Sequence, residues 1–96
     1  MPGMIATLQI DPANDAQLEA AFATLSADVK KLEPGATLYQ LVRSKTAPGV
    51  FKVLEIYAST DDMKAHGKSE HFRSAWPAIQ KLLVAAPELD MFDTVG

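Results

Sequence analysis

Two apolar segments, TLYQLVRS from Thr37 to Ser44 and FKVLEIYAS from Phe51 to Ser59, flank Thr46-Ala47-Pro48-Gly49, a stretch of hairpin length with turn chemistry. They predict a β-hairpin. If Lys45 pairs with Val50, then Leu38, Val42, Val53 and Tyr57 share one face, where Gln40 would sit opposite Glu55. The other face would carry Tyr39, Leu41, Leu54 and Ile56. A half-solvated antiparallel hairpin alternates apolar with polar residues, and this one does not, so both of its faces must be covered. Glu55 in such a strand needs a partner, and Gln40 or a group from a second subunit is the expected one, with an interface role.

The rest of the chain supplies the first cover. Met4 to Ile10 (MIATLQI) predicts a strand ended by Asp11-Pro12, since proline cannot donate to a ladder. Asn14 and Gln17 resemble a capping box, and Leu18, Phe22, Leu25, Val29 and Leu32 recur at helical spacing, so one stripe of that helix is expected to be buried. Glu33-Pro34-Gly35 stops it. Thr60-Asp61-Asp62 can start a short helix that runs to about His66, with Gly67 as its interruption and Ser69 as the cap of a restart. Phe72, Ala75, Trp76, Ile79, Leu82 and Leu83 then form a second stripe, within which Pro77 is expected to kink the helix or to lie in its first turn. Leu89 to Val95 alternates as a last strand.

Strand, helix, strand, strand, helix, strand is the split βαβ order of an α+β, ferredoxin-like, antiparallel four-stranded sheet. Its two helical layers cover one face only. The remaining apolar face, assigned Leu38, Val42, Phe51, Val53 and Tyr57, calls for a second copy of the chain, so a homodimer joined sheet to sheet is expected. With 96 residues the chain fits one domain, 1–96. A chain of this size buries only about 60–65% of its unfolded surface, which gives a second subunit more to contribute.

Twelve acidic against nine basic residues, a net charge of −3 and no basic run beyond Lys30-Lys31 argue against nucleic acid and anionic membranes as partners. The chain has no cysteine, which removes thiol nucleophiles and disulfides and suits a reducing compartment. No apolar run approaches the roughly 20 residues that cross a bilayer, and the first eleven residues lack the pattern of a secretory signal, so a cytoplasmic location is expected.

Reactive chemistry and apolar shelter coincide in AHGKSEHFRSAW, from Ala65 to Trp76. A pocket is expected between the helices and the inner sheet face, with Tyr39, Leu54 and Ile56 below and His66, His71, Phe72 and Trp76 above. A histidine there can act as a base, because its proton affinity lies near neutrality. The competing reading is that His66 simply complements a helix end while His71 caps or packs, and that Tyr39 and Trp76 are core aromatics. No metal is expected, since two histidines five residues apart do not share a helical face and no third ligand stands near them in sequence. No phosphate loop, nucleophile elbow or dinucleotide fingerprint is present.

Glu33-Pro34-Gly35 followed by Tyr39, then Glu55-Ile56-Tyr57, then Ala65-His66 and Ser69-Glu70-His71-Phe72, resembles the antibiotic biosynthesis monooxygenase family in order and spacing. The resemblance implies a dimeric α/β barrel of two ferredoxin-like subunits. It also implies a cofactor-free oxygenase that converts phenolic anthrones or quinols to quinones, with His66 and His71 as bases or hydrogen-bond donors, Tyr39 as an orienting hydroxyl, and Phe72 and Trp76 as walls for the ring. A haem-degrading branch of the superfamily uses an Asn on the first strand, a Trp and an axial His. Here Trp76 falls where that histidine is expected, His66 falls where the tryptophan is expected, and Met4 to Ile10 holds no Asn, so haem cleavage is disfavoured. The expected function is therefore a cofactor-independent monooxygenase acting with dioxygen on a small aromatic substrate. The alternatives are an isomerase or lyase of a small carbonyl metabolite, or a non-catalytic, ligand-holding, stress-associated dimer.

Overall fold

The computed structural model describes residues Met1–Gly96. Its elements are β1 (Pro2–Gln9), α1 (Asp15–Leu32), β2 (Ala36–Arg43), β3 (Val50–Tyr57), α2 (Thr60–Lys68), α3 (Glu70–Gln80) and β4 (Glu88–Asp93). A single 3₁₀ turn at Pro12–Asn14 joins β1 to α1. The strands form one antiparallel sheet in the order β2-β3-β1-β4, the ferredoxin-like α+β arrangement predicted from the element order. No helix is long and apolar enough to cross a membrane.

Each helix follows its local sequence, with corrections at the ends. Leu18, Phe22, Leu25 and Val29 of α1 are buried against the sheet, whereas Leu32, in the final turn, is 57% exposed and leaves the predicted stripe. Asn14 makes no side-chain cap; Asp11 instead caps the preceding 3₁₀ turn, its Oδ1 accepting from the Ala13 N–H at 2.9 Å. Ser59 rather than Thr60 caps α2, accepting from the Asp62 N–H. Gly67 stays helical, and the break falls at Ser69, whose extended backbone (φ −65°, ψ 149°) turns the chain and whose Oγ accepts from the Phe72 N–H at the start of α3. Pro77 sits inside α3.

The hairpin pairs one residue away from the predicted register. Ser44, not Lys45, faces Val50, with the Ser44 N–H donating to the Val50 carbonyl at 2.9 Å. The Ser44 hydroxyl also accepts from the N–H groups of Thr46 and Ala47, which shapes the loop from within. A one-residue slip exchanges the faces of one strand relative to the other. Tyr39 therefore lies opposite Glu55, and Gln40 opposite Leu54. Phe51, Val53, Glu55 and Tyr57 are buried on the side of the helices, where the sequence predicts Leu54 and Ile56. The core is built from these residues with Ala6, Leu8, Ile10, Tyr39, Ile79 and the α1 stripe.

Gly49 fixes this loop. Its φ is +76°, and a Cβ placed there would stand 2.1 Å from the Ile10 carbonyl oxygen, while the Gly49 carbonyl accepts from the Ile10 N–H at 2.8 Å. Gly49→Ala must both strain its own backbone and push β1 away, so a loss of about 2–3 kcal/mol in unfolding free energy is expected, read from urea denaturation.

Candidate active site

Between the helical layer and the inner sheet face lies a cavity of about 170 Å³. Its walls are apolar: Met4, Ala6 and Leu8 from β1, Phe22 and Leu25 from α1, Val53 from β3, Phe72, Trp76 and Ile79 from α3, and Pro87 and Leu89 at the rim. Tyr39 and Glu55 are the polar residues among them. Phe22 stacks on Tyr39 at 5.2 Å between ring centroids, and Phe72 stacks on Trp76 at 5.6 Å. Two flat aromatic walls thus enclose a space suited to a flat guest.

Glu55 is 5% exposed, and its Oε1 accepts a hydrogen bond from the Tyr57 hydroxyl at 2.5 Å. Its second oxygen has no hydrogen-bond partner within the chain, and the residue is one of those lining the cavity. Burial raises the Glu55 proton affinity above the usual carboxylate range and the charge of Glu33 adds to the rise, while the Tyr57 hydrogen bond and His66 pull against it. Burial, reinforced by the charges of Glu55 and Glu33, pushes the Tyr39 hydroxyl far up, and burial together with the Glu55 hydrogen bond does the same for Tyr57. Both hydroxyls remain neutral donors throughout the working pH range.

The two histidines form a layer behind this wall and do not line the cavity. His66, at the end of α2, is 4% exposed, and its ring contacts those of Tyr39 (5.0 Å between centroids), Tyr57 (5.8 Å) and Phe72 (4.9 Å). Its Nδ1 shares a hydrogen bond with Glu33 Oε2 at 2.8 Å, and His71 Nε2 shares one with the same oxygen. Glu33 reaches this point because α1 ends there, its N–H bonded to the Val29 carbonyl, and because Ser69 separates the helices that carry His66 and His71.

Of the seven residues expected to form the site, Tyr39, Phe72 and Trp76 line the cavity, and His66 and His71 stand behind it. Leu54 and Ile56 do not belong to it. They face the opposite side of the sheet, where they line a shallow groove of about 250 Å³ with Leu38 and Phe92. The register slip is the cause. The same slip removes Glu55 from the expected pairing with Gln40 and places it under the helices, and with it Tyr57, a residue whose predicted place is the outer face. Glu33 is legible in the sequence only as a helix stop, because its partners lie 33 and 38 residues further along the chain.

The model of the family described as antibiotic biosynthesis monooxygenase matches residues 1–77. Among solved structures, a candidate antibiotic biosynthesis monooxygenase from Caulobacter crescentus is 45% identical, with a TM-score of 0.95 over 99% of this chain and 90% of that one. A candidate member from Nitrosomonas europaea shares the fold over the full length of both chains, at 15% identity and a TM-score of 0.90. A conserved protein from Methanosarcina mazei, 19% identical, does so at 0.88 over 95% of this chain and 89% of that one. No curated protein matches at a significant level. With the family model covering most of its length and a near relative superposing over nearly all of it, the chain belongs to the antibiotic biosynthesis monooxygenase family.

Proposed function

We propose that this protein is a cofactor-independent monooxygenase that oxidises a small phenolic, quinol- or anthrone-like ring with dioxygen. The observation that carries the reading is the unpartnered oxygen of Glu55 in a cavity otherwise walled by apolar and aromatic side chains. A phenol held between Phe22, Phe72 and Trp76 would lose its proton to Glu55, and the neutral Tyr39 hydroxyl would donate to the resulting oxyanion. An electron-rich anion of this kind can itself reduce dioxygen, so the protein has to supply a base and a dry, shaped space. A phenol with a free para position plus one dioxygen balances as a para-quinone plus one water: one oxygen atom enters the ring and the other leaves with the hydrogens.

Size narrows the class. An apolar cavity of about 150 Å³ takes up benzene, so 170 Å³ suits one ring, with further rings extending past Pro87 and Leu89 at the rim. His66 and His71, expected from sequence to be the bases, are assigned here the task of holding Tyr39 and the α2–α3 break in place. The outer sheet face is proposed to be covered by a second copy of the chain, and the cysteine-free sequence suits a cytoplasmic setting.

Oxygen uptake tests the reading directly. With a panel of one- and two-ring phenols that have a free para position, the expected result is consumption of dioxygen in step with quinone formation, with one labelled oxygen atom entering the product from ¹⁸O₂. An isomerase or lyase of carbonyl metabolites, or a ligand-holding dimer, would consume none.

A further inference from the structure

We propose that Glu33, His66 and His71 form a binding site for a divalent first-row transition ion of the Zn²⁺ type. One ligand atom from each, Glu33 Oε2, His66 Nδ1 and His71 Nε2, lies within 4.8 Å of the others. Two imidazole nitrogens and a carboxylate oxygen are a donor set that such ions favour over Mg²⁺ or Ca²⁺. Around a tetrahedral Zn²⁺ with bonds of about 2.0–2.1 Å, neighbouring ligand atoms stand about 3.3 Å apart. The His66 to Glu33 separation is 2.8 Å and no two of the three atoms are more than 4.8 Å apart, so to hold the ion the carboxylate oxygen must draw back from the imidazoles by about half an ångström or more while any wider pair closes toward the same spacing. Each neutral imidazole then carries its proton on the other ring nitrogen, and the coordinating nitrogen offers its lone pair.

The surroundings suit a bound ion. The side chains are 13% (Glu33), 6% (His66) and 11% (His71) exposed, and the rings of Tyr39, Tyr57 and Phe72 enclose His66 on the inner side. This shell keeps bulk water off the coordinating atoms. On the other side His71 borders an open groove between α1 and α3, where Asp28 and Glu70 add negative charge along the way in. A water from that groove can complete the tetrahedron. Three separate chain segments meet at the site, the end of α1, the end of α2 and the first turn of α3, so the ion would tie all three helices together.

The test is titration of the chelator-treated protein with Zn²⁺ by calorimetry and with Co²⁺ by visible absorption, alongside Glu33→Gln and His71→Asn. The expected result is one ion per chain at micromolar metal, a tetrahedral Co²⁺ band, and a loss of affinity on the order of 100-fold or more in each variant. Zn²⁺ should raise the melting temperature of the wild-type chain and leave that of the variants unmoved. Glu33→Gln keeps an oxygen to accept from one imidazole, and His71 is partly open to solvent, so at least one variant is expected to fold by circular dichroism. Should neither fold, ligation is read in the wild-type chain, from the Co²⁺ band and from histidine NMR shifts on adding Zn²⁺. No stoichiometric binding at micromolar Zn²⁺, equal affinity in a folded variant, or an octahedral Co²⁺ spectrum without histidine shifts would overturn the proposal.

Discussion

Glu55→Gln is expected to lower oxygen-dependent turnover by on the order of 10² to 10⁴, the share a positioned base commonly supplies, while the chain keeps its fold. Glutamine preserves the shape of the side chain and can still accept from the Tyr57 hydroxyl, so a defect in activity can be separated from a defect in packing by circular dichroism and melting. The base must be ionised to act. Because burial holds the Glu55 proton affinity above its ordinary value of 4.5, the rising limb of the wild-type pH–rate profile should stand above the usual carboxylate range and should vanish in the variant. Normal turnover in Glu55→Gln would remove the base assignment.

The same carboxyl governs a stability effect of definite sign. Folding raises its proton affinity, so the folded chain holds this proton more tightly than the unfolded one. The stabilisation linked to it is complete below the unfolded value and is lost as pH rises through the folded one. The amide of the Glu55→Gln variant cannot ionise. Relative to wild type, that variant should therefore gain melting temperature as pH rises from acid toward neutrality, and a gain that fails to grow over that range would contradict the assignment.

Leu54→Lys is expected to leave a single subunit at micromolar concentration where the proposed wild-type pair sediments as a dimer, measured by sedimentation velocity. Ile5, Leu54 and Ile56 are half-buried on the outer face, and Leu38, Val42 and Phe92 are exposed there at 38%, 37% and 52%. Contiguous apolar surface of this kind on one side of a sheet is what a two-fold partner covers. In a symmetric pair one substitution removes two leucines and introduces two charges. Each leucine is already half-buried, so the lost apolar burial is about 1 kcal/mol per subunit, but taking two ammonium groups out of water against an apolar partner face costs more, so the total loss is about 3 kcal/mol or more, over a hundredfold in the dissociation constant. Leu54 points away from the core, so the separated subunit should stay folded. A wild-type chain that already sediments as a monomer would end the dimer proposal.

Local sequence was enough for the order of elements, the α1 stripe of Leu18, Phe22, Leu25 and Val29, the Ser69 restart, and the family, since each rests on local spacing or on short ordered motifs. Local signals fade where an interaction spans the chain. Which face of β3 turns inward follows from the register of the β2–β3 ladder, in which Tyr39 faces Glu55 and the Ser44 N–H meets the Val50 carbonyl, and from Gly49 fitting against Ile10. Since strand side chains alternate with a period of two, that one-residue difference sent Leu54 and Ile56 outward and brought Glu55 into the cavity. Only tertiary structure could join Glu33 to His66 and His71, because a helix end and two later helices converge there through packing, and no periodicity in the sequence encodes that convergence.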